Sequence, residues 1–185
     1  SCPEHPPIRH KAPFVRQPDP LSPSLVTETD FRRALGQFAT GVTVVTTIVP
    51  GGRPEGVTVN AFSSLSLDPP LILVCLAKTT RSLATFESTG HFAVNVLSET
   101  QRHLSIAFSR PIENRFDGVS WSAWTSGCPI FKDCVANLEC ARIARHDGGD
   151  HVILIGRVEQ LYFDKSRAPL LYIGGEYHRL GGESP

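Results

Sequence analysis

From residue 42 onward the chain sets short runs of strand-forming residues between turn signals, and this succession constrains the fold more than any other feature. Residues 42–49 (VTVVTTIV) are β-branched throughout. Such side chains are stiff at χ1 and fit a pleated surface better than a helix. Pro50-Gly51-Gly52 marks a turn, and residues 57–62 return as a second strand. Residues 71–76 follow Asp68-Pro69-Pro70 and read as a buried strand. Residues 92–97, 137–143 and 170–173 are further strands, and residues 152–163 are long enough for one bent or bulged strand. Helical spacing is confined to three short stretches. Thr27-x-x-Asp30 resembles a capping box, ahead of an apolar face of Phe31, Ala34, Leu35 and Phe38 that Gly41 would close. Residues 80–88 turn Leu83 and Phe86 inward, and residues 99–108 gather Leu104, Ala107 and Phe108 on one face. Six or seven strands with a few short helices predict a mainly β fold, a β-barrel rather than a doubly wound sheet.

Residues 1–26 stand apart as a Pro-rich arm, with seven of the fifteen prolines in the first 24 positions. Proline fixes φ and removes a donor, so the arm reads as extended, and His5 and His10 in it read as solvated. Residues 27–185 then form a single domain. Eighteen basic residues balance eighteen acidic ones. A nucleic-acid partner would call for a basic surplus, and a polybasic membrane anchor for a cationic cluster; neither partner is expected. No apolar run reaches the roughly 18 residues of a membrane span, and residues 1–19 show no secretory signal.

The cysteines are Cys2, Cys75, Cys128, Cys134 and Cys140. The odd number and the lack of a C-x-x-C pair argue against a disulfide scaffold and for a reducing, cytoplasmic location. Cys128, Cys134 and Cys140 recur every six residues. Structural zinc sites favour tighter pairs, so Cys140 reads as a strand residue, the other two as residues of the loop before it, and no metal is expected.

The chain carries no G-x-x-x-x-G-K-[ST], no strand-to-helix G-x-G-x-x-G, no G-x-S-x-G elbow and no H-E-x-x-H. P-loop, Rossmann, serine-hydrolase and zincin chemistries therefore lack their signatures. The most unusual stretch is GVTVNAFSSLSLD at residues 56–68. It begins as a strand and becomes small and hydroxyl-rich. Such a segment either lets backbone groups approach a flat polar ring while hydroxyls reach a phosphate, or is a solvated strand edge with Ser/Thr turns.

Five separated stretches carry a resemblance: FRRALGQFATGVTVVTT (31–47), GVTVNAFSSLSLDPPLILVCL (56–76), FAVNVL (92–97), GDHVILIGRVE (149–159) and PLLYIGGEYHRL (169–180). In order and spacing they resemble the flavin-reductase family of FMN-binding split barrels, the reductase components of two-component flavin monooxygenases and their relatives. The likeness spans about residues 31–180, leaving out the arm and much of 109–134. It implies a split β-barrel that forms a homodimer, with FMN or FAD in a groove near the subunit interface and NADH or NADPH as electron donor. It further implies that Thr58, Val59, Asn60 and Ala61 contact the isoalloxazine, with Gly41 among the cofactor-binding residues. Ser63 and Ser64 would face the ribityl phosphate, and Lys78 and Ser82 would form a phosphate-side loop. His151 would be the catalytic residue, near the reactive face of the ring, and Tyr177 would close the pocket. Lys78 and Arg81 could offset phosphate charge.

Hydride transfer between two cofactors needs no strong acid, base or nucleophile from the protein, which agrees with the missing signatures. Each residue also has a plainer reading. His151 could cap a turn, Asp150 could orient that ring or form an Asx-turn, Tyr177 could be a core aromatic, and Asn60 a bulge residue. Phe116, Trp121 and Trp124 read as packing residues. The resemblance leaves three acceptors or roles open: a partner monooxygenase fed with reduced flavin; a corrinoid substrate such as cob(II)yrinic acid a,c-diamide; or flavin or haem binding without catalysis. A pyridoxamine-phosphate-oxidase-like barrel would require a phosphate cradle richer in Arg and Lys than this groove offers.

Overall fold

A computed structural model describes residues 25–49 and 51–181. Residues 1–24, with Cys2, His5, His10 and most of the Pro-rich arm, lie outside the described residues, as does Pro50 of the first predicted turn.

Helix α1 (Glu28–Leu35) starts where the capping signal places it. Thr27 Oγ1 accepts from the Asp30 amide at 3.1 Å and donates to Asp30 Oδ2 at 2.7 Å. It ends earlier than its apolar spacing predicts. Gly36 is the C-cap, and Gly41 lies in strand β1 (Thr40–Gly41). The physical reason is competition for backbone partners: Thr40 and Gly41 are claimed by ladder bonds to β11 (Leu171–Ile173), and the Gly174 amide bonds Gly36 O at 2.7 Å.

Strand β2 (Thr43–Ile48) and strand β3 (Pro54–Val59) form the first hairpin. The predicted strand over 57–62 is two strands: β3 stops at Val59, and Phe62 opens β4 (Phe62–Leu67), which pairs with β5 (Pro70–Ala77). Helix α2 (Leu83–Ser88) leads to β6 (His91–Val96). A 3₁₀ turn (Glu99–Gln101), with a capping box at Ser98, runs into helix α3 (Arg102–Ser109). Small strands β7 (Trp121–Ala123) and β8 (Pro129–Phe131) precede the long hairpin of β9 (Ala136–Gly148) and β10 (His151–Phe163); β12 (Glu176–His178) follows β11.

The main sheet is antiparallel, in the order β3-β2-β6-β9-β10-β5-β4. Its two outermost strands, β3 and β4, are joined by Asn60 and Ala61 alone. In a flat sheet of this order, six spacings of roughly 4.8 Å would separate them. Two linking residues reach only about 11 Å. The sheet must therefore curl until its edges meet, which makes a barrel with a split beside Asn60-Ala61. The bend predicted for the last long strand is present, as register shifts at Ile155/Gly156 and Val158/Gln160.

Strand β2 is buried on both faces because two cores flank it. Val45 joins Val74, Phe92, Val94, Cys140 and Leu154 inside the barrel. Val44 joins Leu97, Leu104, Phe108 and Phe131 under α3. Full burial of each such side chain stabilises by about 1.5–3 kcal/mol. Between the strands, Asn95 is wholly buried. Its amide donates to Val44 O, and its oxygen accepts from the Phe131 amide and Asn137 Nδ2, both at 2.8 Å. This network satisfies groups that an apolar side chain would leave unpaired.

Cys140 lies in β9, and Cys128 and Cys134 in the segment before it. The three thiols sit in three different apolar clusters rather than around a common point. Phe116 packs edge-on against Phe108 and Phe131, and Trp121 against Phe116. No helix among the described residues is long and apolar enough to cross a membrane.

Candidate functional site

At the split of the barrel the backbone leaves the ladder. The Phe62 amide turns back to Asn60 O at 3.0 Å, and Ala61 O accepts from the Cys75 amide at 3.0 Å. Asn60 itself is exposed. It borders a cavity of about 260 Å³ whose walls include Thr58, Ser105, Tyr172 and Tyr177. Three elements fix those walls. Thr58 Oγ1 of β3 donates to Ser105 O of α3 at 2.7 Å, and Ser105 Oγ shares a hydrogen bond with the Tyr177 hydroxyl at 2.8 Å. The Tyr177 ring meets Tyr172 edge-on at 5.3 Å, and the Arg102 guanidinium stands 5.1 Å from its centre.

This cavity continues in two directions. Past Ser109 it meets a hollow of about 290 Å³ lined by Thr79, Thr80, Arg81, Ser82, Arg110 and Arg115. Arg115 is held in place from the inside, donating to Gly56 O at 2.8 Å and to Ile112 O at 3.3 Å. Past Asn60 and Tyr172 the cavity meets a larger depression of about 720 Å³ beneath α1, lined by Phe31, Leu35, Phe38, Asp150 and His151. There Asp150 Oδ1 holds His151 Nδ1 at 2.7 Å. The hydrogen bond and the charge of that imidazole keep the Asp150 carboxyl below the ordinary carboxylate range. Asp150 therefore orients the ring, the first of the two roles its position allowed.

Thr58, Asn60, His151, Tyr177 and Ser82 thus lie along one continuous groove. The other expected residues lie elsewhere. Val59 points into the barrel core and can offer a groove ligand its backbone alone. Gly41 is exposed in β1, next to Thr40 of the large depression. Ser63 and Ser64 stand exposed on edge strand β4, where Ser63 Oγ bonds Ser64 O. Lys78 is paired with Asp147, and its amide bonds Asp150 O at 2.8 Å. That ion pair lowers the Asp147 carboxyl pKa. Sequence reasoning did not find Ser105, Ser109, Tyr172, Arg110 or Arg115. Their one trace is the arginine pair just beyond the third predicted helix. With Arg81 they make the hollow more basic than the sequence reading credited.

The arrangement suits an elongated ligand. A flat ring with a polar edge fits the break at Asn60, where the Thr58 hydroxyl and the exposed Asn60 amide converge. An anionic tail fits the guanidinium-lined hollow. The depression beside His151 leaves room for a second ring.

Residues 35–181 match the family described as flavin reductase like domain. The stachydrine N-demethylase reductase subunit Stc3 of Rhizobium meliloti is 51% identical over 127 residues, 69% of this chain and 55% of that one. The flavin-dependent monooxygenase reductase subunit HsaB of Rhodococcus jostii is 43% identical over 147 residues, 80% of this chain and 75% of that one. Among solved structures, the NADH:FAD oxidoreductase SgcE6 of Streptomyces globisporus, in complex with NAD and FAD fragments, superposes with a TM-score of 0.81 at 37% identity, covering 88% of this chain and 100% of that one. The chain spans about half the length of the two Rhizobium meliloti relatives it matches, 41% and 55%. With four-fifths of its length inside the family's domain and relatives this similar, the chain belongs to the flavin reductase like domain family.

Proposed function

We propose that the protein is an NAD(P)H:flavin oxidoreductase that supplies reduced flavin to a partner monooxygenase. The observation that carries this reading is the continuity of the groove from the His151 depression, through the break at Asn60, to the guanidinium-lined hollow. When bound there, a flavin would supply the redox chemistry that links a nicotinamide donor to an acceptor. The residues present fit such a group. Asn60 and Thr58 offer an amide and a hydroxyl to a polar ring edge, and Ser105 with Tyr177 keeps the facing wall in position. Arg81, Arg110 and Arg115, with the Ser82 segment, offset the charge of a phosphate. His151 borders the space for the nicotinamide, and Asp150 fixes its ring by occupying Nδ1, which leaves Nε2 as the nitrogen available to a ligand. Phe31 and Leu35 of α1, with Phe38 just after it, give that space an apolar wall against which a ring can stack.

The monooxygenase partner is supported by two relatives whose names are those of reductase subunits. A homodimer is supported by the apolar side chains that α1 exposes beside the groove. Cytoplasmic location is supported by the free thiols of Cys75, Cys128, Cys134 and Cys140.

The test is an anaerobic titration of the flavin-loaded protein with NADH, then NADPH, following the visible flavin band. Prompt bleaching, with colour restored by excess free flavin and oxygen, is the expected result. A band that neither nucleotide bleaches would leave a flavin-binding barrel without reductase activity. Colour restored by cob(II)alamin but not by free flavin would move the acceptor to a corrinoid.

A further inference from the structure

One hollow lies outside the groove altogether. It measures about 450 Å³, and its walls come from the start of α3, the segment before β7, the turn after β8 and the segment before β11. Ser105 and Ser109 of α3 border the groove, whereas His103 and Leu104 of the same helix border this hollow, and the two share no lining residue. We infer that the hollow is a second ligand site, for a small monocarboxylate with an apolar body. The inference stands apart from the reading of the groove as a flavin site.

The walls are set before a ligand arrives. Gln101 is buried and spends its side chain on them: its oxygen accepts from the Ser98 amide at 3.0 Å, and its amide donates to Lys132 O at 2.7 Å. The Lys132 amide donates in turn to Ser120 O at 3.2 Å. Arg167 ties in the fourth segment, donating to Asp133 Oδ1 at 2.7 Å and to Asp164 Oδ2 at 3.0 Å. Charge then selects the ligand. Arg167 faces two carboxylates, so its charge is already offset, and Asp133, the one acid that lines the hollow, is engaged by it. Lys132 forms no ion pair among the described residues. One uncompensated cation calls for a monoanion and not for a phosphate dianion. The Thr100 and Ser120 hydroxyls and the His103 ring border the same hollow and supply donors for the remaining lone pairs of a carboxylate. Leu104 and Val119 give it an apolar wall, which suits a hydrocarbon body better than a sugar or a second charge.

The probe is benzoate, with benzamide as an uncharged molecule of the same shape. Each is titrated into the isotope-labelled full chain and followed by amide correlation NMR. Benzoate is expected to give saturable shifts at Thr100, His103, Ser120 and Lys132, with a Kd of about 1 mM or tighter. Benzamide is expected to bind at least about tenfold more weakly, the scale of one hydrogen bond to a charged group. Lys132 is exposed, so its variants keep the fold. Lys132→Ala should raise the benzoate Kd by about the same tenfold, and Lys132→Arg, which keeps the charge, should hold it within about threefold. Excess FMN should leave benzoate binding unchanged. Shifts confined to groove residues such as Asn60 and Tyr177, or displacement of benzoate by FMN, would put the probe in the groove and overturn the inference. So would benzamide binding as tightly as benzoate, an affinity that survives Lys132→Ala, or no saturable shift at about 20 mM benzoate.

Discussion

His151 and Asp150 show what a single hydrogen bond can contribute. Both are exposed enough that their pairing adds little to stability, so its consequence belongs to turnover. His151→Ala should lower kcat by about ten- to a hundredfold through lost positioning, with flavin affinity within twofold, as read by steady-state kinetics beside a binding titration. Asp150→Asn should give an intermediate loss. The Asp150 carboxyl is depressed in the folded chain, so the pair is intact above the ordinary carboxylate range and is lost as pH falls through the lowered value. The acid limb of kcat should therefore lie lower in the wild-type protein than an unpaired carboxylate would give. The buried cysteines make the opposite case. Burial pushes the thiols of Cys134 and Cys140 up to about 12. Iodoacetamide at neutral pH should leave both unmodified in the native protein and modify both after denaturation, as read by peptide mass spectrometry. The resemblance picked out Thr58, Asn60, His151 and Tyr177 because each lies within a continuous motif. Ser105 and Arg115 were not legible, because their roles come from α3 and the segment after it packing onto β3, contacts that no local pattern records.

At the scale of elements, the long β-branched and alternating runs could be read because their spacing is their burial. Strands of two or three residues such as β1, β7, β8 and β12 could not, because tertiary partners alone hold them. The break between β3 and β4 was hidden for a related reason. Residues 57–62 keep strand propensity across it, and curling of the whole sheet sets where pairing stops. The bend in β10 was expected from its length, and the structure supplies its cause. Gly156 sits at a register shift where an added Cβ would meet the Phe92 ring and Cys140 Cβ at 2.5 and 2.9 Å. Gly156→Ala should therefore destabilise the protein by about 1–3 kcal/mol, the range for overpacking a filled core, as read by thermal or urea unfolding. Gly41→Ala is the control. A Cβ there meets nothing within 4 Å, so stability should hold, and a flavin titration of the same variant tests whether Gly41 belongs to the cofactor site.

For the whole molecule the decisive element is the one that contributes nothing to its own core. Helix α1 is well capped and amphipathic, yet it buries no residue; its Phe31 and Leu35, and Phe38 just after it, remain 54%, 59% and 76% exposed. An amphipathic helix normally turns its apolar stripe to a core. Here the stripe borders the depression that holds His151. The two observations have one explanation if a second copy of the chain covers the stripe and completes that end of the groove. The full chain should then elute as a dimer in size-exclusion chromatography with light scattering at micromolar concentration. Phe31→Glu/Leu35→Glu should convert it to a monomer with unchanged far-UV circular dichroism, because α1 gives up no buried contact within the subunit. The monomer should raise the KM for NADH more than it weakens flavin binding, since the stripe borders the His151 end of the groove and not the arginines. A wild-type chain that ran as a monomer would leave the stripe open to solvent and remove the homodimer from the proposed function. A dimer that survived both glutamates would move the interface to another apolar surface, such as the exposed Leu161–Phe163 end of β10.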